Sequence, residues 1–337
     1  SSDLSAPELA VSIGSSRSGQ AALALGNVVG SNVFNVLFIL GVSALVAPLV
    51  AHRQLTRLDV PIGIGVSVGA LALAFDGTVS RLDGLLLVAG LVGYTALQVL
   101  LARAEPASAG TDPSTPSDET SVTTAGGLLP AGPTAAEFRP ALWRWGINGG
   151  LVVGGLALLV LGAEWFVEGA IAAARRLGLR ELGIGLTIVA GGTSLPELAT
   201  SVLATLRGQR DIAVGNVVGS NIFNLLGVLG LSAAVSPTGI AVFGSSLWFD
   251  FPVMIAAAVA CLPIFYTAHR IDRWEGALFF GYYGAYVAYL ILAATQHAAL
   301  STFSTAMAVF VLPLTVVTLL VLGVRAWRDG DSAEGLR

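Results

Sequence analysis

Lysine is absent from the 337 residues, and all 17 basic positions are arginine; no functional reading attaches to that choice. Charge of either sign is scarce at 11% of residues, against 55% hydrophobic residues and a mean hydropathy of +0.80. A soluble domain of that composition would not stay dispersed, so the bilayer is the solvent it implies. The formal net charge is −4 and there is no basic stripe, which excludes nucleic acid as a partner. Cysteine occurs once, as Cys261 in an apolar run, so an intrachain disulfide is excluded and a packing role is expected. The three histidines, His52, His269 and His297, all fall between apolar blocks. A histidine metal site or catalytic histidine is therefore not expected. There is no Ser-His-Asp arrangement, no nucleotide-binding loop and no cysteine cluster. The chain reads as something other than an enzyme, with no cofactor.

Long apolar runs are what the sequence has in abundance. A spanning helix needs about 20 apolar residues, and blocks of that kind predict helices near 4–14 (short), 22–48, 59–75, 83–103, 147–174, 183–206, 212–236, 247–267, 275–296 and 303–326. Between Glu105 and Phe138 the composition shifts to Pro, Ser, Thr, Gly and Ala. Such a stretch has too little apolar surface to offset its ordering entropy, and it reads as a disordered linker. The expected organisation is a first membrane repeat at 1–104, a linker at 105–140, a second membrane repeat at 141–298, and an extra transmembrane helix with a tail at 299–337.

The two membrane halves are copies. Ser5–Pro48 aligns without a gap to Ser194–Pro237, a shift of 189 residues, with 25 of 44 positions identical. The heptapeptide GNVVGSN recurs intact as Gly26–Asn32 and Gly215–Asn221. Weaker echoes follow, Asp59-Val60-Pro61 against Asp250-Phe251-Pro252 and Arg81-Leu82-Asp83-Gly84 against Arg273-Trp274-Glu275-Gly276. The second copy begins earlier, with the helix near 147–174, for which the first copy has no mate. The chain starts on Ser, and one helix with part of a second is expected to be missing there. A complete repeat would hold five helices, and an odd number inserts the second copy upside down, a known plan for transporters with a midplane site. If successive loops alternate sides, twelve arginines fall on one side and five on the other. That bias places the linker and the C-terminus in the cytoplasm.

The informative residues are polar ones within apolar helices. Glu8 lies in LSAPELAVSI and Glu197 in LTIVAGGTSLPELATSVLA, at equivalent positions of the two copies. A carboxylate at membrane depth costs about 2.5–3.5 kcal/mol on insertion scales, and such residues mark functional sites. Pro7 and Pro196 each remove a backbone donor and clash with the preceding turn, and Gly191, Gly192 and Thr193 loosen the same turn. Freed carbonyls at membrane depth are tolerated where they line a cavity or bind something. Carboxylates, hydroxyls and carbonyls are hard oxygen ligands, suited to Ca²⁺ or Na⁺. The next helix adds Ser31, Asn32 and Asn35, and in the second copy Ser220, Asn221 and Asn224. Ser31 and Asn35 share a helical face, as do Ser220 and Asn224. Gly26 with Gly30, and Gly215 with Gly219, have the spacing that lets helices approach closely.

Other polar residues carry less. Glu164 and Glu168 share one side of their helix and either line an access path or lie near the interface. Asp59 and Asp250 open helices, where an acidic residue complements the helix dipole.

The motifs GTSLPEL (192–198) and GNVVGSNIFN (215–224), with their first-half copies, resemble the α-repeats of the cation/Ca²⁺ exchanger superfamily, and most of all prokaryotic sodium/calcium exchangers. The resemblance covers essentially the whole chain. It implies an all-α, polytopic protein of the cell membrane (inner or plasma), with an inverted pair of five-helix repeats whose two broken helices meet around the ions. By motif, it implies Glu8 and Glu197 as shared Ca²⁺ and Na⁺ ligands and Ser5, Ser194, Ser31 and Ser220 as hydroxyl donors to Na⁺. It further implies backbone carbonyls from Thr193 and Ala190, and Asn35 and Asn224 at the central amide or carboxylate positions. The family often has Asp at the position of Asn224, and Gly-Thr where the first copy reads Asp3-Leu4. The function implied is secondary antiport of Ca²⁺ against Na⁺ by alternating access, in a monomer surrounded by lipid. Coupling to H⁺, or a truncated chain that binds Ca²⁺ without transporting it, are the alternatives.

Overall fold

The computed structural model describes residues 5–51, 55–104, 185–268 and 270–318, with isolated positions between 154 and 169. The chain divides into a larger unit, 1–91 with 159–337, and a smaller one, 92–158. Of the smaller unit, the far half of one helix and a few single positions are described. The linker expected at 105–140 and Glu164 and Glu168 lie outside the described residues, as does nearly all of the helix expected at 147–174.

The helices are α1 (Ala6–Arg17), α2 (Ala21–Val46), α3 (Leu55–Leu73), α4 (Arg81–Ala104), α5 (Leu186–Thr193), α6 (Leu195–Leu206), α7 (Arg210–Val235), α8 (Phe251–Ala268), α9 (Arg273–Ala294) and α10 (Ala299–Thr318). Among the described residues six helices are long and apolar enough to cross a membrane, and seven if α5 and α6 are one span bent by 53°. For the helices that lie among the described residues, the expected positions hold to within a few residues. Large apolar side chains such as Leu82, Leu86, Phe310 and Leu314 are 62–78% exposed. A bilayer accepts such a surface without cost, whereas water does not.

The two prolines act differently from the expected kink. Each stands in the first turn of a new helix, α1 or α6, where a missing N–H loses no bond. Two residues before each proline, Ser5 (φ −82°, ψ 16°) and Ser194 (φ −87°, ψ 10°) cap these helices with near-identical backbone, and Ser194 is the break between α5 and α6. Glu8 and Glu197 thereby occupy the first turns of their helices, where N–H groups face forward and negative charge is favoured. A second shared irregularity follows the GNVVGSN motif. Both α2 and α7 widen into π turns, at Phe34–Leu40 and Asn224–Leu229.

Two short ladders establish the inversion. β1 (Leu49–Val50) pairs antiparallel with β4 (Arg270–Ile271), and β2 (Thr78–Val79) with β3 (Ile240–Ala241). One helix, α3, separates β1 from β2, so the ladders lie on opposite membrane faces. The loop that ends α2 therefore sits beside the loop that opens α9, and the loop that ends α7 beside the one that opens α4. A parallel repeat would have paired the equivalents with each other. The same exchange recurs in side chains: Arg81 Nε donates to the Ser236 carbonyl at 2.7 Å and Arg273 Nη2 to the Val46 carbonyl at 3.3 Å. Helix crossings repeat it again. A Cβ on Gly84 would lie 2.6 Å from the Gly230 carbonyl oxygen, and one on Gly276 would lie 2.8 Å from that of Gly41. These crossings set α4 against α7 and α9 against α2, and leave α2 and α7 at the centre.

Candidate functional site

The starts of α1 and α6 meet through their own residues. Ser5 Oγ donates to Glu197 Oε1 at 3.1 Å, and Ser194 Oγ donates to Glu8 Oε1 at 2.8 Å. These are one bond written twice by the inverted repeat, each serine reaching the other copy's carboxylate. All four residues are fully buried. The remaining oxygens, Glu8 Oε2 and Glu197 Oε2, have no hydrogen-bond partner.

The asparagines interlock by the same rule. Asn35 Nδ2 donates to Asn221 Oδ1 at 2.9 Å, and Asn224 Nδ2 to Asn32 Oδ1 at 3.2 Å. Asn32 and Asn221 exchange further bonds with one another's carbonyls, at 3.3 and 3.4 Å. Each pair fixes an amide so that its NH₂ is used and its oxygen is left over. Asn35 Oδ1 and Asn224 Oδ1 are buried without a partner, and so is Ser220 Oγ. An orphaned buried polar atom costs about 1–3 kcal/mol. Four such oxygens in two symmetry-related pairs are not a packing accident.

A third layer holds the starts of α1 and α6 in place. Asn27 Nδ2 donates to Ser12 Oγ (2.8 Å) and to the Glu8 carbonyl (3.2 Å), and Thr193 Oγ1 donates to Asn27 Oδ1 (3.0 Å). In the second copy Asn216 Nδ2 donates to Ser201 Oγ at 3.0 Å. The Ala190 carbonyl accepts from the Ser194 N–H at 3.2 Å and from the Ser31 and Thr193 hydroxyls, each at 3.3 Å. It is thus already engaged, where the sequence suggested a freed group. Ser31 and Thr193 would have to turn before it could serve any ligand.

The structure brings Ser5, Glu8, Ser194 and Glu197 into one cluster, ties Asn35 and Asn224 into another, and joins Ser31, Thr193 and Ala190 beside them. Asn27 and Asn216, which the motif places in a helix-packing segment, also hold the site, and Asn32 and Asn221 find their partners across the repeats. Their signal was present, since all four lie inside the repeated heptapeptide. Asp250 also departs from its expected role at a helix opening. It is 1% exposed and accepts from the Tyr286 hydroxyl at 3.1 Å.

The profile of the family described as "Sodium/calcium exchanger protein" matches residues 4–100 and 147–292. The chain belongs to this family. It is a family of transporters, not of enzymes. The sodium/calcium exchanger MaX1 of Methanosarcina acetivorans is 32% identical over 323 residues, covering 85% of each chain. The Escherichia coli inner membrane protein YrbG is 37% identical over 257 residues, 76% of this chain and 72% of its own. The fold is similar to that of the sodium-calcium exchanger NCX_Mj, with a TM-score of 0.62 and 25% identity over 85% of this chain and 83% of that one. The exchanger's membership accords with its all-α, membrane-spanning, inverted architecture.

Proposed function

We propose that this exchanger moves Ca²⁺ against Na⁺ through the site between Ser5, Glu8, Ser194 and Glu197. The observation that carries the reading is the set of four orphaned oxygens, Glu8 Oε2, Glu197 Oε2, Asn35 Oδ1 and Asn224 Oδ1. Their charge and hardness suit Ca²⁺, which takes six to eight oxygens at about 2.3–2.6 Å. No group of three or more His, Cys, Asp or Glu converges among the described residues. Two carboxylates are therefore the charge available, and amide and hydroxyl oxygens complete the shell. Ser31 and Ser220, with the carbonyl of Thr193 and that of Ala190 once the Ser31 and Thr193 hydroxyls turn away from it, supply Na⁺ ligands when Ca²⁺ has left. Both carboxylates come from one chain, so a single copy suffices. Inverted repeats meeting at a central site are the architecture in which one half rocks against the other, and alternating access follows. The face that carries β1 and β4, with Arg57, Arg270 and Arg273, is the cytoplasmic one.

The test is Ca²⁺ uptake by reconstituted vesicles at fixed pH. An outward Na⁺ gradient is expected to drive uptake at least tenfold above the rate without it. Uptake that ignores Na⁺ and follows an imposed pH gradient would replace Na⁺ with H⁺ as the coupled ion. Ca²⁺ binding with no uptake under either gradient would contradict transport by this chain.

A further inference from the structure

Beyond the central site, α2 and α7 each carry a second buried hydroxyl at equivalent positions, Ser43 and Ser232. Both are 0% exposed, and neither Oγ has a hydrogen-bond partner. That is unusual for a serine in a helix, which ordinarily turns to the carbonyl four residues back. Ser16 and Ser67 do this here, at 2.7 and 2.8 Å.

The helix crossings show which way these serines point. Gly41 backs onto α9, where a Cβ would lie 2.9 Å from the Phe280 nitrogen, and Gly230 backs onto α4, 3.1 Å from the Gly84 carbonyl oxygen. Two residues on is a rotation of about 200°, so Ser43 and Ser232 face away from those crossings. α6 also packs on Gly41–Val46, and α1 on Gly230–Val235. These two helices are polar on one side from end to end. Glu197, Ser201 and Thr205 recur every four residues along α6, as do Glu8, Ser12 and Ser16 along α1, and all six are at most 2% exposed. From its break, α6 runs to the face that carries β1 and β4. α1 runs to the opposite face.

The π turns complete the register. Eight residues separate Asn35 from Ser43, which in a regular helix would put them about 80° apart. The wider turn of Phe34–Leu40 absorbs about one residue, so the two side chains return to about the same face, roughly 10 Å apart along the axis. Asn224 and Ser232 are related in the same way across Asn224–Leu229. Ser43 and Ser232 thus continue the polar faces that begin at Asn35 and Asn224, each toward the end of its helix, and neither hydroxyl has a protein partner.

We propose that Ser43 and Ser232 are polar steps on two cation access paths, one to each membrane face, where each hydroxyl replaces a water in the shell of a partly hydrated Na⁺ or Ca²⁺. The inference deepens the exchange reading and rests on it. Buried hydroxyls lose free energy unless water or an ion meets them, and passing cations and their waters would do so. The alternating character of the transporter then requires that the two steps open to opposite sides.

The test uses the full chain with its lone cysteine removed, Cys261→Ala, carrying Ser43→Cys or Ser232→Cys, in vesicles of known orientation. A membrane-impermeant cationic thiol reagent is added to one face or the other. Ser43→Cys is expected to label only from the face of the Arg270 loop, and Ser232→Cys only from the opposite face. Labelling is expected to lower Ca²⁺ uptake at least fivefold. Protection of both from both faces, or labelling of both from one face, would overturn the proposal. Labelling is read on the protein itself, so failure of Ca²⁺ uptake in the Cys261→Ala parent would count against the exchange reading and not against the paths. If a cysteine variant does not fold, Ser43→Ala and Ser232→Ala serve, since they remove one atom and add none. Uptake should slow at least threefold with Ca²⁺ affinity at equilibrium unchanged; an unchanged rate would overturn the proposal.

Discussion

Glu197→Gln is expected to lower Ca²⁺ uptake by about a hundredfold or more while leaving the protein folded. The amide keeps the shape of the carboxylate, and its oxygen still accepts from the Ser5 hydroxyl that now bonds Oε1 at 3.1 Å. What it removes is one of the two charges that face a divalent ion. Glu8→Gln is expected to have the same effect, because the inverted repeat gives Glu8 the equivalent bond, from Ser194 at 2.8 Å. Burial adds a second signature. A neutral amide is easier to bury than a carboxylate, and both glutamates are fully buried. In the absence of Ca²⁺ each variant should therefore melt at the same temperature as the wild type or higher. Vesicle uptake and thermal unfolding in detergent check the two halves together. Uptake within threefold of wild type in either variant would remove that carboxylate from the site.

Gly30→Ala is expected to disable the site from behind. A Cβ at Gly30 would stand 2.5 Å from the Leu186 carbonyl oxygen and 2.7 Å from the Ala190 Cβ. The first contact is with backbone, which cannot turn aside, so α2 and α5 must separate. The bonds at that seam, from Ser31 to the Ala190 carbonyl and from Thr193 to Asn27, would lengthen beyond use. Overpacking of this kind costs about 1–3 kcal/mol, and uptake should fall with it because the seam positions the starts of both α1 and α6. Gly281→Ala is the control. Gly281 lies within α9 with nothing within 4 Å of its Cβ position, and replacing it should leave uptake intact and raise helix stability by up to about 1 kcal/mol. Equal melting temperatures for the two variants would show that the close approach at Gly30 is not what holds the seam.

The duplicated motif made the centre of the molecule readable because symmetry does there what an alignment does elsewhere. Two glutamates shifted by 189 residues in apolar helices could be recognised as partners before any geometry was known. The bonds between the copies were not readable in this way. Asn27 and Asn32 look like any amide near a close helix crossing, and only the approach of the other repeat turns Asn32 into an acceptor for Asn224. The π turns were hidden for a simpler reason: one residue added to a helix does not disturb an apolar run that is buried on every side. The two-residue ladders have no pattern of their own, yet they carry the clearest sign of the inversion. The role of Asp250 is not legible in the sequence because it depends on Tyr286, which lies on another helix. A sequence shows which residues open a helix but not what covers them.

The shared carboxylate site is tested most directly by a crystal structure of the exchanger grown with Ca²⁺. The ion is expected between Glu8 Oε2 and Glu197 Oε2, with Asn35 Oδ1 and Asn224 Oδ1 in its shell, each at about 2.3–2.6 Å. An ion held by one carboxylate alone, or bound away from both, would contradict it.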